Sequence, residues 1–191
     1  RIVVCTYQAV SGTGRAGVHA LEQQRGAAAQ GTEMDMGPYS HPIYNNCIPQ
    51  VGSLRERFPG YYSEEIKMIE ETRKIFGDDE IAVSATCVRV PVSNSHSEAV
   101  NVELGRDMSA EEARELLEGA DGVVVQDEPA DGVYPLAAEA DGSDPVYVGR
   151  IRKDPSQPNT IDFWCVSDNL LKGAALNTVQ IAEKAIEIGL L

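Results

Sequence analysis

The sequence predicts an α+β protein in which a mixed, largely antiparallel sheet carries helices on one face. Two observations support this prediction: strand patterns outnumber helix patterns, and they neighbour one another along the chain. The chain has 191 residues, of which 42% are apolar and 24% charged, so it can bury a proper core. The other face of such a sheet needs a cover, and we expect a second copy of the chain to provide it.

The N-terminal part predicts one strand and two helices. Residues 1–7 favour a strand, and a Gly-rich turn then leads into a helix over 15–30. Residues 31–60 contain several prolines and are predicted to form a loop region. Ser63 is expected to cap a helix over 64–76. The predicted apolar face of that helix consists of Ile66, Ile69, Ile75 and Phe76.

The C-terminal part is dominated by strand patterns. Ser109 and Glu112 form a capping box that opens a short helix ending at Leu117. The acidic stretch 126–145 is interpreted as a mobile surface excursion, and the last helix is predicted over 170–189. The strand patterns cover 81–92, 100–104, 123–125, 146–151 and 161–166. The last two should form a hairpin, and strand 123–125 should be buried.

Composition argues against several classes of partner and site. The formal net charge of −14 disfavours nucleic acid, because a phosphate backbone would be repelled over most of the surface. No apolar run approaches the roughly 20 residues that span a bilayer and no signal peptide is visible, so we expect a cytoplasmic protein without a membrane partner. The four cysteines are expected to be buried thiols, and no metal site is expected, because Cys-x-x-Cys and close Cys/His pairs are missing.

The start of the chain is unusual for a natural domain. Residue 1 is Arg rather than Met, and the chain opens directly within a strand pattern. We therefore expect residues 1–191 to be one domain of a longer protein, whose N-terminal portion has been cut away or left out.

A glycine motif after the first strand raises the question of a dinucleotide-binding fold. Gly12, Gly14 and Gly17 fit G-x-G-x-x-G between a strand and a helix. A Rossmann unit then needs a second apolar strand that ends in an acidic residue about 20 positions on. No β-branched run precedes Glu33 or Asp35, so the motif does not predict a Rossmann unit here. Its backbone N–H groups can still form an anion or carboxamide site.

Two pairs of residues are candidates for an active site. Arg89 is a permanent cation that can grip a carboxylate or phosphate, and His96, seven residues later, titrates near neutrality. Together they form half of an active site or, alternatively, are a surface arginine and a loop histidine without a shared task. Glu64 and Lys67 share the first turn of a predicted helix, where a solvated ion pair is the competing interpretation.

Four segments, taken together and in order, resemble a known family. They are Thr6–Gly12, Glu64–Ile75, Ser84–Glu98 and Ser167–Ala182. They closely resemble aspartate-β-semialdehyde dehydrogenase, and the resemblance covers essentially the whole chain. It implies the glyceraldehyde-3-phosphate dehydrogenase-like C-terminal domain, which is the substrate-binding and dimerisation half of such an enzyme. The N-terminal Rossmann domain, which binds NADP and delivers the nucleophilic cysteine, would be absent from this chain.

The resemblance implies roles for particular residues. His96 would be the general acid/base, and Gln8 would orient the acyl group beside the cysteine. Arg89 would clamp the α-carboxylate of the substrate, Glu64 would hold its α-amino group, and Lys67 would add positive charge to the phosphate site. None of the four cysteines matches the nucleophile motif, so the chain alone should be inactive. The residues that would touch NADP are Ser11, Gly12 and Asn169.

For the intact protein, the resemblance implies NADP-linked interconversion of L-aspartyl 4-phosphate and L-aspartate 4-semialdehyde plus phosphate. That reaction stands early in the biosynthesis of diaminopimelate, lysine, threonine and methionine. An alternative from another class is a non-catalytic, stand-alone dimerisation module. A related dehydrogenase for another acyl phosphate is less favoured, because Glu64 and Arg89 suit a substrate with both an amino and a carboxylate group.

Overall fold

A six-stranded sheet runs through the centre of the fold. The computed structural model describes residues 1–190. Its strands are β1 (Ile2–Gln8), β2 (Leu54–Arg55), β3 (Phe58–Tyr62), β4 (Val83–Arg89), β5 (His96–Glu103), β6 (Val123–Val125), β7 (Val146–Lys153) and β8 (Thr160–Ser167). The order in the main sheet is β4-β1-β5-β8-β7-β6, and β2 and β3 form a separate hairpin. The three central pairs are antiparallel and the two outer pairs are parallel, which confirms the predicted mixed, largely antiparallel sheet.

The helices begin and end close to the predicted positions. A 3-10 turn at Val10–Thr13 precedes the first helix, and a π-helical turn at Leu171–Ala175 precedes the last. The Ser109–Glu112 capping box is formed as predicted, with both of its hydrogen bonds present. The α-helices are α1 (Arg15–Gln30), α2 (Ser63–Phe76), α3 (Ala110–Glu118), α4 (Ala137–Ala140) and α5 (Leu176–Glu187).

Two helices cover one face of the sheet. Helix α2 packs against β4, where Glu65 accepts a hydrogen bond from the Cys87 backbone N–H at 3.1 Å. Helix α3 packs against the other half, where Ala113 joins a buried cluster with Val148 and Ile161. Helix α1 instead packs against the loop that follows it, and within the described residues no strand lies between the end of α1 at Gln30 and β2 at Leu54, so the second Rossmann strand is missing near Glu33 and Asp35. The decision against a Rossmann unit at this motif is therefore confirmed.

The opposite face is partly covered by the acidic segment 126–145. There the Trp164 indole N–H on β8 donates to the Pro135 carbonyl at 3.1 Å. At the start of the segment, Asp127 forms an ion pair with Arg114 of α3 at 2.7 Å. The side chain of Asp127 is 2% exposed. The segment lies at the surface as predicted, since most of its residues are exposed, and its mobility stays a prediction. Asp127 nevertheless ties it to α3, and the Pro135 carbonyl ties it to β8.

Helix α2 departs from prediction at both ends. Ser63 is its first residue rather than its cap, because the preceding Tyr62 backbone N–H is held by Glu65 Oε2 at 2.8 Å. Ile75 and Phe76 are 81% and 67% exposed, so they do not belong to its buried face. Ile75 follows the buried Ile66 by nine residues, which places it about half a turn out of phase on an α-helix.

Several smaller expectations also fail. The predicted loop 31–60 contains β2 and the first residues of β3, and Val124 in the edge strand β6 is 41% exposed. Cys47 is exposed rather than buried, because it lies in an open loop, although all four cysteines are free thiols.

Within residues 1–190, no helix is long and apolar enough to cross a membrane. In the same part of the chain, no three metal-binding side chains lie together.

Candidate active site

The central strands bring the predicted site residues to one edge of the sheet. Strands β1 and β4 are parallel, and their register places Gln8 beside Arg89. Strand β5 is antiparallel to β1 and begins at His96, which lies opposite Ser167 at the end of β8. Asn169 follows two residues later. The carboxyl ends of β1, β4 and β8 therefore meet the amino end of β5, which joins segments that are far apart in sequence.

Arg89 is a buried cation whose backbone and side chain are both held. The residue is 5% exposed, and its Nη1 donates a hydrogen bond to the Ala9 carbonyl at 2.6 Å. Burial lowers the pKa of Arg89, while nearby Tyr39 and Glu64 act in the opposite direction. Arginine remains protonated even so. A buried cation bonded to a neutral carbonyl is an attractive partner for an anion that enters the site.

His96 is neutral in this environment. Its Nδ1 accepts a hydrogen bond from the Ala9 backbone N–H at 3.1 Å. Burial, and secondly the charge of Arg89, lower the pKa of His96 to about 4, against weaker opposing effects of the Ser95 carbonyl and Asp168. The imidazole therefore carries no charge at pH 7.

Gly12 lies where Arg89 and His96 converge. A methyl group at position 12 would stand 2.7 Å from Arg89 Nη1 and 3.2 Å from His96 Nε2. These distances are too short for a relaxed contact, and Arg89 is already held by its bond to Ala9. The absence of a side chain at Gly12 thus allows Arg89 and His96 to approach the backbone of Gly12 this closely.

Ser11 and Asn169, two of the predicted cofactor residues, contact each other directly. The Ser11 hydroxyl lies 3.0 Å from Asn169 Oδ1 and 2.9 Å from Asn94 Oδ1. Asn169 Oδ1 also accepts the Ser95 backbone N–H at 2.9 Å. These contacts use the carbonyl oxygen of Asn169, so its amide N–H groups remain available as donors to a carboxamide or similar ligand.

Asp168 holds this arrangement together, and the sequence analysis did not identify it. Its carboxylate accepts backbone N–H groups of Leu170, Leu171 and Gly142 at 2.7 to 2.9 Å, and the Asn94 amide at 2.8 Å. Burial acts to raise the pKa of Asp168, but these hydrogen bonds outweigh it and the net pKa is lowered. An Asp between a strand and a helix is a common N-cap, which is the one signal that could have pointed to it.

Glu64 and Lys67 form the ion pair expected from their i, i+3 spacing. Lys67 Nζ lies 3.3 Å from Glu64 Oε2, and the lysine side chain is 55% exposed. Within the described residues no direct contact joins this pair to Arg89 or His96. Glu64 nevertheless lies close enough to raise the pKa of Arg89, so it borders the same region.

A small cavity of about 220 Å³ opens beside Arg89. Its other wall is the loop after α1, which the sequence analysis treated only as a connection. There the Tyr39 hydroxyl donates to Thr13 Oγ1 at 3.1 Å, and the Ser40 hydroxyl donates to Gln50 Oε1 at 2.6 Å. Arg89 therefore borders a cavity of mixed polar and apolar lining, whose opposite wall carries two hydroxyl groups that are already hydrogen-bonded.

Comparison with known proteins yields one consistent family. The family model described as "Semialdehyde dehydrogenase, dimerisation domain" matches residues 1–172. The aspartate-semialdehyde dehydrogenase of Aquifex aeolicus is 47% identical over 100% of this chain and 56% of the relative. That of Bacillus subtilis is 44% identical over 100% of this chain and 57% of the relative.

A solved structure supports the same relationship. Aspartate semialdehyde dehydrogenase II of Vibrio cholerae, in complex with ASA, matches with a TM-score of 0.93 and 43% identity. The match covers 98% of this chain and 55% of that one. The chain therefore spans about half the length of the curated relatives and of the solved structure that it matches.

Proposed function

This chain belongs to the semialdehyde dehydrogenase family through its dimerisation domain, and on that premise we propose that it is the substrate-binding and dimerisation part of an NADP-dependent aspartate-semialdehyde dehydrogenase. The intact enzyme would interconvert L-aspartyl 4-phosphate and L-aspartate 4-semialdehyde plus phosphate in the cytoplasm. This step leads toward diaminopimelate, lysine, threonine and methionine. The observation that supports it most is the convergence of Arg89, Gly12 and His96 at one edge of the sheet.

In this proposal the substrate lies between Arg89 and His96. Arg89 binds the α-carboxylate with the N–H groups that its bond to Ala9 leaves over, and Glu64 binds the α-amino group. Lys67 contributes positive charge for the phosphate. Gln8, which is 6% exposed and stands beside Arg89 in the sheet, orients the acyl group. His96 acts as the general acid/base.

The nucleophile is proposed to come from outside this chain. Burial raises the pKa of Cys87 to about 11, and burial also raises the pKa of Cys165. Both thiols are therefore poor sources of thiolate at neutral pH. The lack of a side chain at Gly12 and the available N–H groups of Asn169 fit the nicotinamide end of NADP, beside Ser11. When bound, NADP would supply hydride exchange, and it would be held mainly by a nucleotide-binding domain outside this chain.

We further propose that the chain forms a homodimer through the sheet face opposite α2 and α3. Tyr7 is 36% exposed on that face, with its ring centroid 5.4 Å from that of Trp164. Tyr134 and Leu136 of segment 126–145 are 37% and 44% exposed and line a cavity of about 410 Å³ beside Trp164. A second copy would bury this aromatic and aliphatic surface.

A chimera tests the enzymatic proposal. This chain would replace the matching segment of the Aquifex aeolicus relative, and phosphate-dependent reduction of NADP by aspartate semialdehyde would be measured. A second chimera with the matching Bacillus subtilis segment, which is 44% identical to this chain, serves as the matched control. We expect both chimeras to be active and the isolated chain to be inactive. An inactive, folded chimera beside an active control would favour the stand-alone dimerisation module instead.

A further inference from the structure

Ala9 is fully buried, and both of its backbone polar groups bind site residues. It follows β1 with φ −62° and ψ 153°, an ordinary extended conformation. Its carbonyl accepts Arg89 Nη1 at 2.6 Å, and its N–H donates to His96 Nδ1 at 3.1 Å. A buried N–H without an acceptor costs free energy, so this second bond matters for the stability of the arrangement. One peptide segment therefore positions both the cation and the imidazole.

The bond to Ala9 determines which nitrogen of His96 carries the proton. A backbone N–H only donates, so Nδ1 must present its lone pair to it. The single proton of the neutral ring is then on Nε2. Rotating the ring by half a turn would place a carbon against the buried Ala9 N–H and leave that group without an acceptor.

The protonated form of His96 is disfavoured by the same contacts. An Nδ1–H group would point at the Ala9 N–H, so that two donors would face each other. The Ser95 carbonyl favours the charged ring, but burial and Arg89 outweigh it. Nε2 lies on the side of the ring toward Gly12 and Arg89, where the proposed function places the substrate.

We propose that Ala9 is a positioning residue that fixes His96 as the neutral Nε2–H tautomer, so that the resting ring turns a hydrogen-bond donor toward the substrate. In this form His96 donates a hydrogen bond to a substrate oxygen that gains negative charge, in addition to its proposed acid/base role. To act as a base at Nε2, the ring must first release Ala9 and move its proton to Nδ1. The inference rests on the proposed function and specifies the form in which His96 enters it.

Nitrogen NMR of the 191-residue chain tests the tautomer directly. Histidine would be labelled with ¹⁵N, long-range ¹H–¹⁵N spectra recorded at pH 7, and the His96 signals assigned with His96→Gln. We expect the shift of an unprotonated nitrogen at Nδ1 and of a protonated nitrogen at Nε2. An Nδ1–H tautomer, an even mixture of tautomers or a charged ring at pH 7 would overturn the proposal. A merely structural role of Ala9 would not select one tautomer.

A pair of variants in the active chimera tests the donor role. In His96→Gln the side-chain amide can replace the Nε2–H donor, whereas in His96→Asn the amide is too short to reach that position. We expect Asn to lower kcat by about 10²–10³-fold, the usual cost of one lost donor to a developing oxyanion. Gln should lower kcat roughly tenfold less than Asn does. Equal losses in both variants would show that hydrogen-bond donation from Nε2 does not contribute, and they would overturn the proposal.

The two experiments fail in different ways. The spectra need only the isolated chain, so they test the tautomer even if the chimera has no activity. An active chimera whose resting His96 carries its proton on Nδ1 would refute this inference and leave the proposed function standing. An inactive chimera with the expected spectra would refute the proposed function instead.

Discussion

Replacing Arg89 by lysine should damage substrate use although the positive charge is kept. One guanidinium nitrogen of Arg89 already binds the Ala9 carbonyl at 2.6 Å, and the side chain also borders the cavity beside it. The remaining N–H groups of the planar fork can therefore bind a carboxylate at the same time. A lysine ammonium is a single point: it must either keep the bond to Ala9 or turn to the substrate.

The magnitude follows from the number of bonds lost. A lysine that keeps the Ala9 contact loses at least one charged hydrogen bond to the substrate, which is worth about 1.5–3 kcal/mol. Since each 1.4 kcal/mol corresponds to about a tenfold change, kcat/KM should fall by roughly 10–150-fold. Most of the loss should appear in KM, because the carboxylate does not itself react.

Steady-state kinetics of the chimera with varied aspartate semialdehyde would measure this loss. Arg25→Lys is the matched control, because Arg25 is exposed and makes a single long contact of 3.5 Å to the Pro91 carbonyl. Thermal unfolding of both variants would show whether the buried substitution also destabilises the fold. If Arg89→Lys retained kcat/KM within about threefold of the parent and remained folded, the two-pronged carboxylate contact would be refuted.

Three further predictions concern His96 and the sheet face. His96→Ala should lower kcat of the chimera by roughly 10²–10⁴-fold with a smaller change in KM; an unchanged kcat would remove His96 from the chemistry. The pKa of His96 is lowered from 6.5 to about 4 on folding, so the unfolded chain takes up the proton first as the pH falls. This difference contributes up to about 3 kcal/mol to the free energy of unfolding above pH 6.5, and the contribution should be lost between pH 6.5 and 4. Urea unfolding at several pH values should show a smaller loss in His96→Gln than in the parent chain. Equal losses would contradict the lowered pKa. Leu136→Glu should convert the proposed dimer to a folded monomer in light scattering, whereas Leu116→Glu on exposed α3 should not; a monomeric parent chain would refute the interface.

Local signals in the sequence predicted local structure well. The Ser109–Glu112 capping box forms with both hydrogen bonds, at 2.7 and 3.0 Å, because all of its atoms come from four consecutive residues. Helix α1 likewise occupies the predicted 15–30. The prediction for α2 failed at Ile75, because an apolar residue near a helix end satisfies a rough pattern without facing the sheet.

Contacts between distant segments were beyond sequence reasoning. Gln8 pairs with Arg89 across parallel strands 81 positions apart, and nothing in either strand specifies the other as its neighbour. Asn94 and Asp168 are 74 residues apart and bond at 2.8 Å. Residue chemistry identified Arg89 and His96 as candidates and the family resemblance assigned their roles, but neither could supply the network that holds them. That network depends on backbone groups, such as those of Ala9, which any residue type can provide.

The burial of Arg89 beside His96 has a consequence for substrate binding. The charge of Arg89 is the second cause of the lowered pKa of His96, after burial. If a substrate carboxylate binds Arg89 as proposed, it offsets that charge, and the pKa of His96 should rise from about 4. The larger cause is burial, which a ligand in the pocket reinforces rather than relieves. The ring should therefore remain neutral at pH 7 in the complex, and Nε2–H should still be the group that meets the substrate.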